Sequence, residues 1–264
     1  MSGRTSATFK SWQSYWRFNS LVRTKSRFVR NQEVDEFLAV VCATAEKRVE
    51  MLPKGGQLWR AQLGNDWEPI CQDQEHVTDR PIPYTAMRMK PQPDPAKEGR
   101  VNPKGIPYLY TATRQETAVA EVRPWIGTNV SVALFELQAS VRVVNFASDD
   151  TSIMFYFAEP EPEKRENAVW SDIDRAFSAP VTPSDDSADY APTQVLAEAL
   201  RNHGYDGVAY RSSVGPGHNV ALFNPGIARP VAACLVTVTD LRIAFTSTAE
   251  CIYDRGGTAE VDQH

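Results

Sequence analysis

The chain has 264 residues, 42% hydrophobic and 23% charged, a globular balance with enough apolar material for a core that needs no staples. Its formal net charge of −5 excludes a broad electrostatic grip on nucleic acid, and no direct nucleic-acid partner is expected. No apolar run reaches the roughly 18 to 20 residues of a membrane span, so one domain with extensions is the organisation implied.

From about residue 8 to 52 the spacing predicts helix. Lys10, Arg17, Arg23, Lys25, Arg27 and Arg30 read as a solvated basic face, and Trp12, Tyr15, Trp16, Phe18 and Phe28 as the apolar face opposite it. Val34, Phe37, Leu38, Val41, Cys42 and Ala45 then recur at threes and fours until Pro53 and Gly55-Gly56 stop the run. Residues 1–56 are therefore read as an N-terminal helical extension.

Strands follow at Leu58-Trp59-Arg60-Ala61, at Tyr108 to Ala112 and at Val130 to Leu137, where short apolar runs meet turn residues. Between the first two, residues 64–98 show no period and are expected to form a long loop or insertion. A second irregular stretch, 159–191, carries Pro160, Pro162, Pro180 and Pro183, with a short helical piece at Trp170 to Phe177. A helix at Thr193 to Asn202, a strand at Val208 to Tyr210 and another at Val220 to Phe223 complete a domain over residues 57–230. Residues 231–264 read as a C-terminal extension, in which Leu241, Ile243 and Phe245 suggest a further strand and helix. Unevenly mixed strands and helices make the fold class α+β.

Cys42, Cys71, Cys234 and Cys251 form no CxxC pair, and no signal-peptide pattern opens the chain, so a cytoplasmic location with free thiols is expected. His76, His203, His218 and His264 show no metal-ligand spacing, and no metal is expected.

The stretch GRVNPKGIPYLYTATRQETAVAEV concentrates polar chemistry. Pro103 and Gly105 bracket a turn into a strand that puts Tyr108 and Tyr110 on one face. Thr113 and Glu116 have capping-box spacing, and the helix they open carries Glu121. Arg60 from an early strand, Arg100 before the tyrosines and Ser212 from a glycine-flanked loop can join Tyr110 and Glu121 in one cleft. An arginine, an aromatic ring, a carboxylate and a hydroxyl suit a substrate with a phosphate, a flat ring and a sugar. Each also has a plain structural reading: Arg60 as an ion-pair partner, the tyrosines as strand aromatics, Glu121 as a solvated helix residue, Ser212 as a turn hydroxyl.

Three blocks, LWRAQ, GRVNPKGIPYLYTATRQETAVAEV and GYDGVAYRSSVGPGHNVALFNP, resemble in their order the RES domain, the toxin component of bacterial toxin-antitoxin modules, over about Gln57 to Phe223. The resemblance implies a fold like that of ADP-ribosyltransferases: a mixed β-sheet core with flanking helices. It also implies a toxin that destroys NAD by cleaving the nicotinamide-ribose bond with water or phosphate as acceptor, NAD being substrate and no cofactor being required. The partner it implies is a protein antitoxin of the Xre-like helix-turn-helix kind, and a homo-oligomer is compatible with it.

The family's arginine, glutamate and serine fall on Arg60, Glu121 and Ser212. Arg100 and Tyr110 fall on further pocket positions, and Asn102 and Tyr108 are grouped with them as binding residues. On this reading Glu121 stabilises the ribosyl cation, Arg60 and Arg100 clamp phosphate, Tyr110 and Tyr108 stack on nicotinamide, and Ser212 orients the sugar or carboxamide. Val101 stands where the turn often has an aromatic residue, and VGPGHN lacks an arginine often found there. An ADP-ribosyltransferase acting on a protein or nucleic acid shares this chemistry and is the alternative; a non-catalytic binding module is a further one, which the intact Arg60, Tyr110, Glu121 and Ser212 set argues against.

Overall fold

The computed structural model describes residues 7–73, 75–92, 96, 98–147, 156–179 and 187–242. Ile243, Phe245, Cys251, His264, Pro180 and Pro183, which figure in the sequence reading, lie outside these described residues.

Two helices open the chain, α1 (Ser14–Thr24) and α2 (Gln32–Ala45). The first buries Tyr15, Phe18 and Val22; the second is capped by the Asn31 side chain, which accepts from the Val34 amide. Much of the expected basic face is paired locally, Lys10 with Glu36, Arg17 with Glu33, Arg23 with Asp189 and Arg30 with Asp35. Phe28 does not join the apolar face: it lies between the helices and is 98% exposed. The helical run also ends earlier than its spacing predicts. Val49–Leu52 is a strand, β1, antiparallel to Val141–Asn145.

The remaining elements are β2 (Gln57–Leu63), β3 (Asp66–Gln72), β4 (Glu75–Ile82), α3 (Ala86–Met89), β5 (Leu109–Ala112), α4 (Gln115–Glu121), β6 (Asn129–Leu137), β7 (Val141–Asn145), α5 (Pro162–Ser178), α6 (Ala191–Asn202), β8 (Gly207–Arg211), β9 (His218–Leu222) and β10 (Ala228–Thr237). Eight strands form one sheet in the order β1-β7-β8-β9-β5-β2-β6-β10, with only the β7–β8 pair parallel. The class is α+β, a large mixed sheet flanked by helices. Residues 64–98 are not a structureless loop, since β3 and β4 pair as a separate hairpin. The second irregular stretch likewise holds a long helix, α5, rather than a short piece near Trp170.

Strand alternation divides the core. Val144, Val208 and Ala221 face α1, α2, α5 and α6 with Trp170, Ile173, Phe177 and Leu196, whereas Val143, Ala209, Val220 and Leu222 pack with Tyr84 and Met89. A third cluster, Ala61, Ala112, Ala118, Val130 and Val132, lies beneath α4. Between β2 and β5 a single pair, Trp59 with Ala112, joins the two halves of the sheet. Everywhere else in the sheet the ladder is longer, so this junction is where a cleft can open. The site residues collect around it.

Candidate active site

The strand-to-helix passage is built differently from a capping box. Thr113 extends the β5–β9 ladder, its N–H donating to the His218 carbonyl at 2.9 Å and its hydroxyl accepting from the His218 amide at 3.0 Å. Arg114 is the N-cap of α4 and makes no side-chain cap bond. α4 is fastened from outside instead: the Thr117 hydroxyl donates to the Pro216 carbonyl, and Gly215 approaches so closely that a Cβ there would lie 2.9 Å from Thr117 Cα. The loop carrying Ser212 is thereby clipped to the helix carrying Glu121.

At the end of α4 the exposed Glu121 carboxylate takes two bonds on one oxygen. Ser212 Oγ donates to Oε1 at 2.7 Å and Asn219 Nδ2 at 2.6 Å. Among the described residues no donor reaches Oε2. Ser212 is itself held, its hydroxyl accepting from the amides of Val214 at 3.2 Å and Gly215 at 3.1 Å. Asn219 is buried on β9 directly opposite Tyr210 of β8.

Arg60 reaches from β2 across the junction, where Nη1 donates to the Tyr110 carbonyl at 3.1 Å. Its Nε is buried without a partner, and no carboxylate pairs with the guanidinium among the described residues. Burial lowers its pKa to about 10, against a smaller opposing effect of Tyr110. A buried cation left in this state is poised for an anion.

Tyr110 links the two arginines. Its hydroxyl donates to Asn102 Oδ1 at 2.7 Å and accepts from the amides of Val101 at 3.0 Å and Asn102 at 3.2 Å. Burial pushes its ionisation far above the ordinary tyrosine value. Tyr210, overlooked in the sequence, is buried on β8 opposite Asn219, and burial pushes its ionisation far above the ordinary tyrosine value.

A model of the RES domain matches residues 57–245. The chain belongs to the RES domain family. No curated protein matches it. Among solved structures it is similar to a chain of the M. tuberculosis MbcT-MbcA toxin-antitoxin complex, with 11% identity, a TM-score of 0.41, and coverage of 75% of this chain and 92% of that one.

Within this RES domain the seven residues singled out in the sequence separate by role. Glu121 and Ser212 touch directly, and Arg60 and Tyr110 meet at the sheet junction. Three others are corrected. Tyr108 is 2% exposed, packed on Phe223 at 5.1 Å with the Arg201 guanidinium 5.7 Å from its ring, so it has no face for a ligand. Asn102 is equally buried and staples its own loop, Nδ2 donating to the carbonyls of Ile106 at 2.8 Å and Pro103 at 3.1 Å. Arg100 is no free phosphate clamp, because its guanidinium is taken by the Phe177 and Ala179 carbonyls at the end of α5.

Sequence reasoning also missed a second anchor on α5. Asp174, fully buried, accepts on one oxygen, Oδ2, from Arg211 Nε at 2.8 Å and Nη2 at 2.6 Å, which fixes the residue before Ser212. The signal for Asn219 was a polar side chain inside the apolar run HNVALF, but only the β8–β9 register says what it faces. Among the described residues no group of His, Cys, Asp or Glu could hold a metal ion, and no helix is long and apolar enough to cross a membrane.

Proposed function

We propose that this chain is an NAD-degrading toxin that cleaves the bond between nicotinamide and ribose, and that a protein antitoxin restrains it. The observation that carries the reading is the Glu121 carboxylate, exposed at the junction with Oε1 tethered by Ser212 and Asn219 and Oε2 left for a ligand.

Cleavage of this bond builds positive charge on the ribosyl carbon as the base departs with the bonding electron pair. Glu121 Oε2 would accept a ribose hydroxyl and stabilise that charge, an interaction strongest in the transition state. Because the two tethers fix the carboxylate beforehand, little reorganisation is left for the moment of reaction. Arg60 would receive a phosphate of the dinucleotide, which supplies the counter-charge its buried guanidinium lacks. Tyr110 holds the wall between them. Water then adds to the cation, giving ADP-ribose, neutral nicotinamide and a proton; with phosphate as acceptor the sugar product carries the phosphoryl group instead.

Purified chain incubated with NAD, with nicotinamide and the sugar product followed by chromatography, tests this. Release of nicotinamide that is lost in Glu121→Gln supports it. Absence of turnover in the parent chain, or undiminished turnover in Glu121→Gln, refutes it, and label transferred to protein would mark a transferase instead.

A further inference from the structure

β10 is the last strand of the sheet, paired along its length with β6 and, among the described residues, with no strand on its outer edge. Such an edge presents a row of free N–H and C=O groups, and proteins ordinarily blunt it with lysine, short length or a covering element. β10 has ten residues, and its blunting is confined to one end, where Pro230 and the register shift before Ala232 lie; from Val231 through Thr239 there is no charged side chain. Val231 is 41% exposed, and Ala232, Ala233 and Cys234 are exposed as well. A strand laid along this edge would meet uncharged side chains over its central stretch.

The charges at the two ends select the occupant. Arg229 opens the strand and Asp240 follows it, with side chains 61% and 73% exposed. A second copy of β10 laid antiparallel and centred near Leu235, allowing for the extra residue between Pro230 and Ala232, brings the arginine of each copy level with the aspartate of the other. An identical strand thus meets the uncharged centre with an uncharged centre and closes both ends with opposite charges. The contacts these residues make at home, Arg229 to Glu136 at 3.2 Å and Asp240 to Arg242 at 3.8 Å, are exposed pairs of the kind that contribute little and exchange readily.

We propose that the chain forms a two-fold dimer in which β10 of one copy pairs antiparallel with β10 of a second, joining the two sheets. Closure about one two-fold axis uses up both edges, so the assembly stops at two copies. The inference is independent of the reaction proposed above.

Light scattering on the full chain after size exclusion, over a series from about 1 to 200 µM, reads it, because an interface of one strand pair is expected to be weak. The expected mass rises to that of two chains with concentration. Arg229→Glu and Asp240→Arg each place like charges at both ends and should raise the dimer dissociation constant roughly tenfold, whereas the double variant R229E/D240R should return it to the parent value. Ala233→Lys, at an exposed position, should also weaken the dimer while the thermal melt holds. A monomer throughout the series overturns the proposal, as does a dimer indifferent to all these changes or a double variant without rescue. Slow exchange of the β10 amides that point away from β6, in a monomer, would overturn it too, by showing that the same chain covers its own edge.

Discussion

Glu121 on α4 and Asn219 on β9, 98 positions apart in the chain, are joined by a 2.6 Å hydrogen bond that fixes one carboxylate oxygen. The bond sets the direction of the other oxygen, so its effect belongs to the rate and not to substrate affinity. Asn219→Ala is expected to lower the kcat for NAD cleavage by about tenfold with little change in KM, and Glu121→Gln to lower it by about 10² or more. Steady-state nicotinamide release measures both. Equal losses in kcat and in affinity for Asn219→Ala would place that residue on the substrate instead.

The Tyr110 hydroxyl serves three groups in the loop before β5, and Tyr110→Phe removes this partner from the amides of Val101 and Asn102 and from the Asn102 side-chain oxygen together. Buried groups left unpaired cost about 1 to 3 kcal/mol, less whatever water recovers. A fall in thermal midpoint with a raised KM is the expected outcome in Tyr110→Phe, since Tyr110 also supplies the carbonyl that Arg60 Nη1 reaches. Unchanged melting would show that the loop is held by other means.

Much of this was legible in the chain beforehand, for local reasons. Leu109–Ala112 and Asn129–Leu137 each alternate or run apolar against a buried face, and the α4 sequence follows its strand without interruption, so Glu121 and Tyr110 fall near one another by chain connectivity alone. The β3–β4 hairpin was illegible because most of its residues are exposed on both faces, which leaves no hydrophobic alternation to read. Tyr108 and Tyr110 share a face in sequence, yet Phe223 and Arg201 cover the first; that difference comes from β9 and α6, which no local pattern contains. Asn219 and Asp174 escaped for the same reason: their partners are chosen by strand register and helix docking.

Asp174, fully buried, and Arg211, whose side chain is 32% exposed, form a pair between α5 and the end of β8, and each is expected to be worth more to its partner than to the fold. Arg211→Ala leaves a fully buried carboxylate without its cation and should cost about 3 to 5 kcal/mol, whereas D174A/R211A should cost clearly less than the two single changes together. Urea unfolding of the four proteins gives the coupling. Because Arg211 precedes Ser212, Asp174→Ala should also slow NAD cleavage at temperatures where it remains folded; full activity there would separate the pair from the site.

Arg60 gives the sharpest opposition between stability and activity. Its guanidinium is buried with Nε unpartnered, and its pKa falls to about 10 because burial disfavours the charged form. The unfolded chain, with an ordinary arginine, therefore binds the proton more tightly than the folded one. The cost of burying the charge is present at all pH values below about 10 and fades as pH rises from there towards the ordinary arginine range. Arg60→Met removes that cost while keeping the stem's packing, so it should raise the midpoint of urea unfolding at neutral pH, by an amount equivalent to about 1 kcal/mol or more. The same change should abolish the rise in thermal midpoint that NAD or pyrophosphate gives the parent chain, because the anion's counter-charge is gone. Arg60→Lys retains a charge without the planar fork and should keep only part of that rise. A destabilised Arg60→Met chain that still responds to pyrophosphate would mean that Arg60 is a structural cation and that the phosphate binds elsewhere.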